Sequence, residues 1–461
     1  MELSKRPKGE IKTQKMTYKH VLTFITCALA ITGPAAITYS CAGINYQGVA
    51  NYLQVPVSSV AFYMTLVYLS IAIFAAPLGN IMEKYNQRVV VTVCACMVGG
   101  AELAMSQFTA LWMWYVAGVI QGIGITCVQW LLVTGCINKW FKKGAGLALG
   151  LCMAGTGLGG VVFNLVGQTV LAGDVSHWRT CYIVYGICIL ALSIPFTSLC
   201  FRRSPQEWGV LPYGEAINES DRVTEYNGSK LPGMDYKDAL RKPYFWMLMV
   251  AGGLMNCMGI MPQLFTTYTQ WLAYVGFAGP IIALLALFGT LEAFTQGGQA
   301  AGKVIIGAVE SRSIPAAIIL AGIGGISGLC LIWFGGMSGI LNCMWAGGVV
   351  YGLVYGLVPT LHPYLIRVLF GQKDYEKIFS RQLIVTQLIG AFAASGWALV
   401  YETFTWNGYF ILGIIIIIVE LVIAWIAAKI GFKDTKHAYD PQRKEPIPNH
   451  DAENSTTPAS V

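Results

Sequence analysis

Four polar side chains interrupt one of the apolar stretches of this chain at helical spacing. Glu292, Gln296, Gln299 and Lys303 follow one another at intervals of 4, 3 and 4 residues. At roughly 100° per residue they share one narrow face of a helix. The other faces carry mostly Ala, Leu, Ile and Gly. A carboxylate, two amides and an ammonium in such a row can hold an anion at Lys303 and carry a proton on Glu292. The plainer alternative is that Lys303 snorkels to an interface and Glu292 is a buried structural acid. Chemistry of other kinds finds no support. Five His occur without an HExxH, no nucleophile–base pair is visible, and no GxxxxGK[ST] phosphate loop exists. The sequence therefore predicts no enzyme activity, no cofactor, no metal and no ATP hydrolysis by this chain alone.

Other apolar stretches carry similar faces. Asn256, Gln263 and Gln270 are spaced by sevens, and Pro262 beside them can break a helix and free a carbonyl. Tyr351, Tyr355 and His362 fall on one face, provided that Pro359 and Pro363 do not rotate it. His362 titrates near neutral pH when unperturbed, and its plain reading is a hydrogen-bonded packing residue. Thr32, Tyr39 and Tyr46 repeat by sevens beside the Gly33-Pro34 break, and Asn164 and Gln168 lie one turn apart. Glu102 and Glu420 read as interfacial or structural acids. The glycines Gly146, Gly150, Gly155 and Gly159 form two GxxxG pairs, suited to close helix packing.

The elements that must position these residues are membrane helices. The chain is 55% hydrophobic and 11% charged, less than half the charge of a soluble domain. Crossing the hydrocarbon takes about 20 apolar residues. Stretches near 20–43, 57–82, 89–107, 111–137, 145–172, 180–201, 244–271, 277–303, 314–336, 340–368, 381–402 and 407–430 qualify. The fold class is thus an all-α membrane protein of twelve transmembrane helices in two pseudo-symmetric six-helix bundles. A basic N-terminus (1–19) precedes the first bundle (20–201). A polar central loop (202–243) separates it from the second (244–430), and a tail (431–461) rich in Pro, Asn, Ser and Thr is expected to be disordered.

Loop charge sets orientation. Lys84, Arg88, Lys139, Lys142, Lys143, Arg202, Arg203, Arg312, Lys373 and Lys377 sit in alternate loops, and of 30 Lys and Arg only Arg179 lies in a predicted outside loop. Both termini are therefore expected to be cytoplasmic. The run after the basic N-terminus is of spanning length, so no cleavable signal is expected. The net charge of +7 belongs to these loops, which argues against nucleic acid as a partner. All 13 Cys lie in or beside apolar runs without a CxxC pair, and read as free thiols.

Two loops repeat. Gly79, Glu83, Lys84 and Arg88 follow the second stretch; Gly307, Glu310 and Arg312 follow the eighth, with Ser311 where a second acid would stand. This pattern resembles the gating signature of the major facilitator superfamily. Two more stretches, from Asn138 to Gly150 and from Arg203 to Gly214, together with Phe370-Gly371-Gln372-Lys373, are similar to its oxalate/formate antiporter and monocarboxylate transporter branch. The resemblance covers nearly the whole chain. It implies alternating access around a central site, with spans one, two, four, five, seven, eight, ten and eleven lining the cavity. It also implies a cation on the eighth helix holding a substrate carboxylate, a place that Lys303 occupies. Oxalate-type members carry another cation in the eleventh span. None stands between Gln382 and Val400, which favours substrates with one carboxylate.

The expectation is a secondary active transporter of an organic anion with one carboxylate: a short, aromatic or amphipathic acid such as a sterol acid. It would work by proton symport or substrate/product exchange. The expected substrate contacts are Lys303, Gln299, Gln296, Tyr351, Tyr355, His362, Asn256, Gln263 and Tyr39, with Glu292 for the proton and Gly79, Glu83, Arg88, Gly307 and Arg312 for gating. The expected partners are the acid, protons and membrane lipid. A monomer in a bacterial cell membrane is the expected setting. The rival readings are a carrier of a neutral solute or drug and a membrane sensor that moves nothing.

Overall fold

A computed structural model describes residues 13–141, 145–202, 204–215, 233–275, 289–310, 312–355, 357–371 and 373–435. Residues 1–12, 216–232 and 436–461, which hold most of the N-terminus, the central loop and the tail, lie outside the described residues. The first six spans are α1 (Tyr18–Ser40), α2 (Val57–Lys84), α3 (Gln87–Met105), α4 (Leu111–Ile125, then Thr126–Leu131 and Leu132–Trp140), α5 (Ala145–Leu171) and α6 (Trp178–Pro195, then Phe196–Cys200). The second six are α7 (Pro243–Tyr274), α8 (Thr290–Glu310), α9 (Ile314–Ser338), α10 (Leu341–Tyr355 and Leu357–Phe370), α11 (from Tyr375) and α12 (to Thr435).

By length and apolarity alone, nine described helices can cross a membrane. One of these, Ile384–Thr435, is two spans joined at Thr405, whose φ of 62° and ψ of −179° reverse the chain in a single residue. α8 falls short of that test because of its polar stripe, and α10 because its description is interrupted at residue 356. The span α9 is apolar all round and α12 is apolar on its outer face, with Glu420 turned inward; they expose Ile323, Phe334, Ile415 and Val422, as lipid-facing helices do. The twelfth helix runs past the expected end at residue 430, because Asp434 meets Lys242 at 2.6 Å and holds the last turn against the start of α7.

Local chemistry sets the other ends. The Asn86 side chain accepts from Arg88 N to open α3, and Ser313 caps α9, where Pro315 needs no N–H partner. Gly339, at φ 70°, ends α9 in the left-handed conformation.

The packing repeats between halves. In the first, α2 lies on α4 and α3 on α6; in the second, α8 lies on α10 and α9 on α12. The halves meet along two seams, α5 against α8 and α2 against α11. A third contact joins the breaks in α1 and α7. The helical path of α1 passes through a π segment (Ile31–Ala35) and ends in a 3-10 turn (Ala42–Asn45); α7 is broken by a 3-10 turn (Met261–Leu264) around Pro262. Gly43 sits so close to the Gln263 carbonyl that a Cβ there would overlap it.

The terminal segments gather at one end of the bundle. Gln14 N donates to Glu215 O, Lys19 Nζ to Trp208 O, and Met234 N to Phe370 O. The opposite end is the far face. There Arg179, the exception to the charge pattern, donates to Ser106 O and Phe108 O and lies over the rings of Tyr52 and Trp178. Its charge thus clamps three far-face segments together.

Candidate functional site in the seam between the halves

The α8 stripe faces the other half. Glu292, Gln296 and Gln299 are buried, and Glu292 Oε1 accepts from Gln296 Nε2 at 2.6 Å. Lys303, half-buried, donates to Met153 O at 3.3 Å and Thr156 Oγ1 at 2.9 Å, both on α5. The stripe fits because α5 presents glycine there: a Cβ at Gly160 would crowd the Gln296 side chain, and one at Gly157 its carbonyl and Ala300. The next glycines on α5, Gly155 and Gly159, seat against Thr32 of α1. On the other flank Gly348 and Gly352 of α10 lie against Leu291, Thr295 and the backbone at Gly298 and Gln299. A run from Glu292 to Lys303 spans about 16 Å along the helix axis.

The α7 face divides. Gln263 Nε2 donates to Tyr39 O at 2.8 Å while Tyr46 OH donates to Gln263 Oε1 at 3.2 Å; Gln270 Nε2 reaches Ile44 O at 3.2 Å. These carbonyls belong to the broken end of α1, where backbone acceptors have lost helical partners. The Tyr39 ring stacks on Tyr68. Asn256 turns instead to its own half and donates to Thr386 O and Gln387 Oε1 of α11. Tyr351 OH donates to Met258 O at 2.7 Å, which fastens α10 to α7 just before the break. His362 is buried near Gly252 on α7 and 3.8 Å from Glu420 Oε1 on α12. The expected contacts therefore form two groups. Gln296, Lys303, Gln263 and Tyr39 lie at the contact between halves; Asn256, Tyr351 and His362 lie within the second half, as does the contact of the Gln299 backbone with Gly352 of α10. The Tyr355 side chain is outside the described residues.

Other polar residues join them. Asn164 Nδ2 donates to Ser40 O at 3.0 Å and Gly160 O at 2.9 Å, and Thr290 Oγ1 donates to Gln168 Oε1 at 2.7 Å across the α5–α8 seam. Gln382, Thr386 and Gln387 of α11 are buried around Asn256 and His362. Their spacing of four and one was the available signal in a stretch searched only for a cation. Glu102 accepts from Gln121 at 2.6 Å between α3 and α4.

Cross-half hydrogen bonds run from the far face to Lys303. At the far face Glu402 accepts from Ser58 N and Ser58 Oγ, and Thr65 meets Ser395 deeper in. Of the expected gating residues, Gly79 has open space where a side chain would be, Arg88 is half-buried and Arg312 exposed at the terminal end. The side chain of Glu83 and the surroundings of Gly307 lie outside the described residues. The terminal end also holds an ion pair, Lys373 Nζ to Asp235 Oδ1 at 2.9 Å. The hydrogen bond and charge of Asp235 hold the Lys373 ammonium above the usual lysine range.

Two six-helix halves whose first helices, α1 and α7, are broken where they meet, packed around a buried polar stripe, define a membrane transporter. The chain belongs to the Major Facilitator Superfamily, whose family model matches residues 28–337. It is 27% identical over 201 residues to an uncharacterized MFS-type transporter, YhjX, of Escherichia coli, covering 43% of this chain and 45% of that one. It is 34% identical over 110 residues to the probable transporter MCH2 of Saccharomyces cerevisiae, covering 23% and 22%. The matched stretches thus span less than half the length of these relatives. Among solved structures, it is similar to a bacterial homologue of the human lysosomal transporter Spinster in an inward-facing, unoccupied conformation (TM-score 0.62, 14% identity, 91% of this chain and 97% of that one). It is also similar to the nucleoside transporter NupG (TM-score 0.63, 13% identity, 90% and 99%). At such identities the likeness concerns the fold.

Proposed function

We propose that the chain carries an organic anion with one carboxylate across the cell membrane by alternating access, with both termini in the cytoplasm. The observation that supports this most is the position of Lys303. It brings a basic amine to the α5–α8 seam, at the end of a buried row of Glu and Gln, and its partners include a carbonyl and a hydroxyl of the other half. A substrate carboxylate is a stronger partner for an ammonium than either. Binding would exchange the tie between Lys303 and α5 for an ion pair, and so link occupancy to the separation of the halves. Lys grips a carboxylate as a point charge, without the planar fork of Arg, which suits varied acids. Glu292, with Oε2 free of hydrogen bonds among the described residues, is the proton carrier in this reading. Its partners are the acid, protons and lipid, and it works as a monomer in a bacterial membrane.

One observation favours a second reading. Lys303 already donates to Met153 O and Thr156 Oγ1, so it can serve as a structural tie in a carrier of neutral solutes. The test is internal pH and counterflow in proteoliposomes given mono- and dicarboxylates, sterol acids and neutral sugars. Acidification or counterflow with monocarboxylates, lost in Lys303→Gln, supports the anion carrier. Glu292→Gln separates the couplings: a symporter loses uphill accumulation and keeps exchange. Sugar transport untouched by Lys303→Gln establishes the second reading.

A further inference from the structure

A side-chain amide has a donor end and an acceptor end, and which end is free is decided when its partner can only accept. Three amides at the contact between halves are decided in this way. Asn164 Nδ2 lies between two carbonyls, Ser40 O and Gly160 O. Gln296 Nε2 lies on the Glu292 carboxylate, and Gln270 Nε2 on Ile44 O. Reversing Asn164 or Gln270 would set oxygen against oxygen, and so would reversing Gln296 while Glu292 is ionised. The ends left over are therefore Asn164 Oδ1, Gln296 Oε1 and Gln270 Oε1, and to these Glu292 adds Oε2. All four oxygens are buried and make no hydrogen bond among the described residues.

They belong to one region. Gly160, one turn before Asn164, is covered by Gln296; Gly289, just ahead of Glu292, lies against the Asn164 carbonyl and the Ile44 side chain, whose own carbonyl receives Gln270. An orphaned buried acceptor costs about 1–3 kcal/mol. With Glu292 ionised, four such acceptors at the contact between the halves share a single deficit among the described residues: each lacks a hydrogen. The deficit is complementary to a ligand that brings hydroxyl or N–H groups.

The distance to Lys303 adds a second condition. Gln296 and Glu292 precede it by 7 and 11 residues, or about 10 and 16 Å along the axis. A short hydroxy acid cannot touch both ends. We propose that the transported acid is elongated, about 10 Å or more, with its carboxylate at Lys303 and hydroxyl or amine donors at the other end, received by Gln296, Glu292, Asn164 and Gln270. The proposal rests on the anion reading for its carboxylate end and on the fixed amides for its donor end.

Binding to the purified full-length protein, followed by thermal shift and calorimetry, tests it with matched probes: decanoate, ω-hydroxydecanoate, ω-aminodecanoate, lactate and the neutral decanediol. The expected result is that ω-hydroxydecanoate or its amino analogue binds about ten-fold tighter than decanoate, the worth of one hydrogen bond to an orphaned acceptor. Lactate should bind weakest of the acids. Gln296→Leu should bring the hydroxylated and amino analogues down to the affinity of decanoate, and Lys303→Gln should weaken all the acids. Equal binding of decanoate and its hydroxylated analogue to the unaltered protein would overturn the proposal without recourse to any variant. Stabilisation by sodium over choline, lost in Gln296→Leu, would also overturn it by assigning the oxygens to a metal cation. Tight binding of decanediol with none of the acids would keep the donor end and remove the carboxylate, which separates this inference from the anion reading.

Discussion

His362 and Glu420 face one another inside the second half, with Nε2 3.8 Å from Oε1 and side chains only 4% and 1% exposed. The elements around His362 present Gly252 from α7 and Gln382 and Thr386 from α11, so Glu420 is the titratable neighbour that they leave to it.

At 3.8 Å the two make no hydrogen bond, so the contact is one between buried polar groups rather than a salt bridge. Removing one member leaves the other without its polar neighbour and should cost about 1–3 kcal/mol, whereas replacing both with apolar residues of similar volume can be neutral. His362→Leu and Glu420→Leu should each lower the melting temperature in detergent, and the double variant should recover at least half of the loss. Simple addition of the two costs would show that the residues act independently.

Contact between the breaks of α1 and α7 depends on the absence of a side chain at Gly43. Gly43→Ala places a methyl on the Gln263 carbonyl, and overlap of this kind costs about 1–3 kcal/mol. The far face should then open more readily. Labelling of a cysteine placed at Thr38, applied from that side, should accelerate about ten-fold, and counterflow should fall. Unchanged labelling would mean that the breaks do not seal the path.

Much of this architecture was legible in the sequence, for a definite reason. A bilayer crossing demands about 20 apolar residues whatever the fold around it, so the spans declared themselves. Glu292, Gln296, Gln299 and Lys303 declared a shared face because helical spacing is local. What could not be read was the partner of each side chain. Lys303 meets Thr156 across 147 positions and Gln263 meets Tyr39 across 224; periodicity within one helix carries no information about such pairs. Glu420 reads as an interfacial or structural acid in the sequence, because nothing local announces that α10 and α12 bring His362 beside it. The turn at Thr405 was hidden for another reason: threonine is a poor choice for that backbone, and nothing local marks it.

Thr405 adopts a conformation otherwise reserved for glycine, which costs a β-branched residue about 1–3 kcal/mol. Thr405→Gly should relieve it. After the entropy that glycine loses on folding, the net gain should be about 1 kcal/mol, a rise of about 1–2 °C in melting temperature. A fall instead would show that the Thr405 side chain makes contacts worth more than the strain.

The ion pair of Lys373 with Asp235 gives the terminal end a pH dependence of known sign. Its ammonium is held above the usual lysine range by that partner. The stabilisation is complete below the ordinary lysine value and disappears as pH rises through the raised one. Spin labels on the 233–242 segment and on α11 should therefore separate at strongly alkaline pH and stay together at neutral pH. In Asp235→Asn, which has no carboxylate for Lys373 to pair with, the alkaline transition should disappear. Separation on acidification down to the carboxylate range, with none in alkali, would refute the assignment of Lys373.

The π segments at Ile31–Ala35, Thr126–Leu131 and Phe196–Cys200 all fall in α1, α4 and α6 of the first half. Each holds one residue more than the ordinary helical ladder needs. Such a surplus is slack wound into a rod: it can shift by a turn, and so lengthen or rotate one side of the helix without breaking its hydrogen bonds for long. Among the described residues the second half has no π segment and relies on the 3-10 turn at Met261–Leu264 and the single-residue corner at Thr405. Two halves built on one plan are thus broken differently among the described residues, with the slack of surplus residues wound into the first half alone.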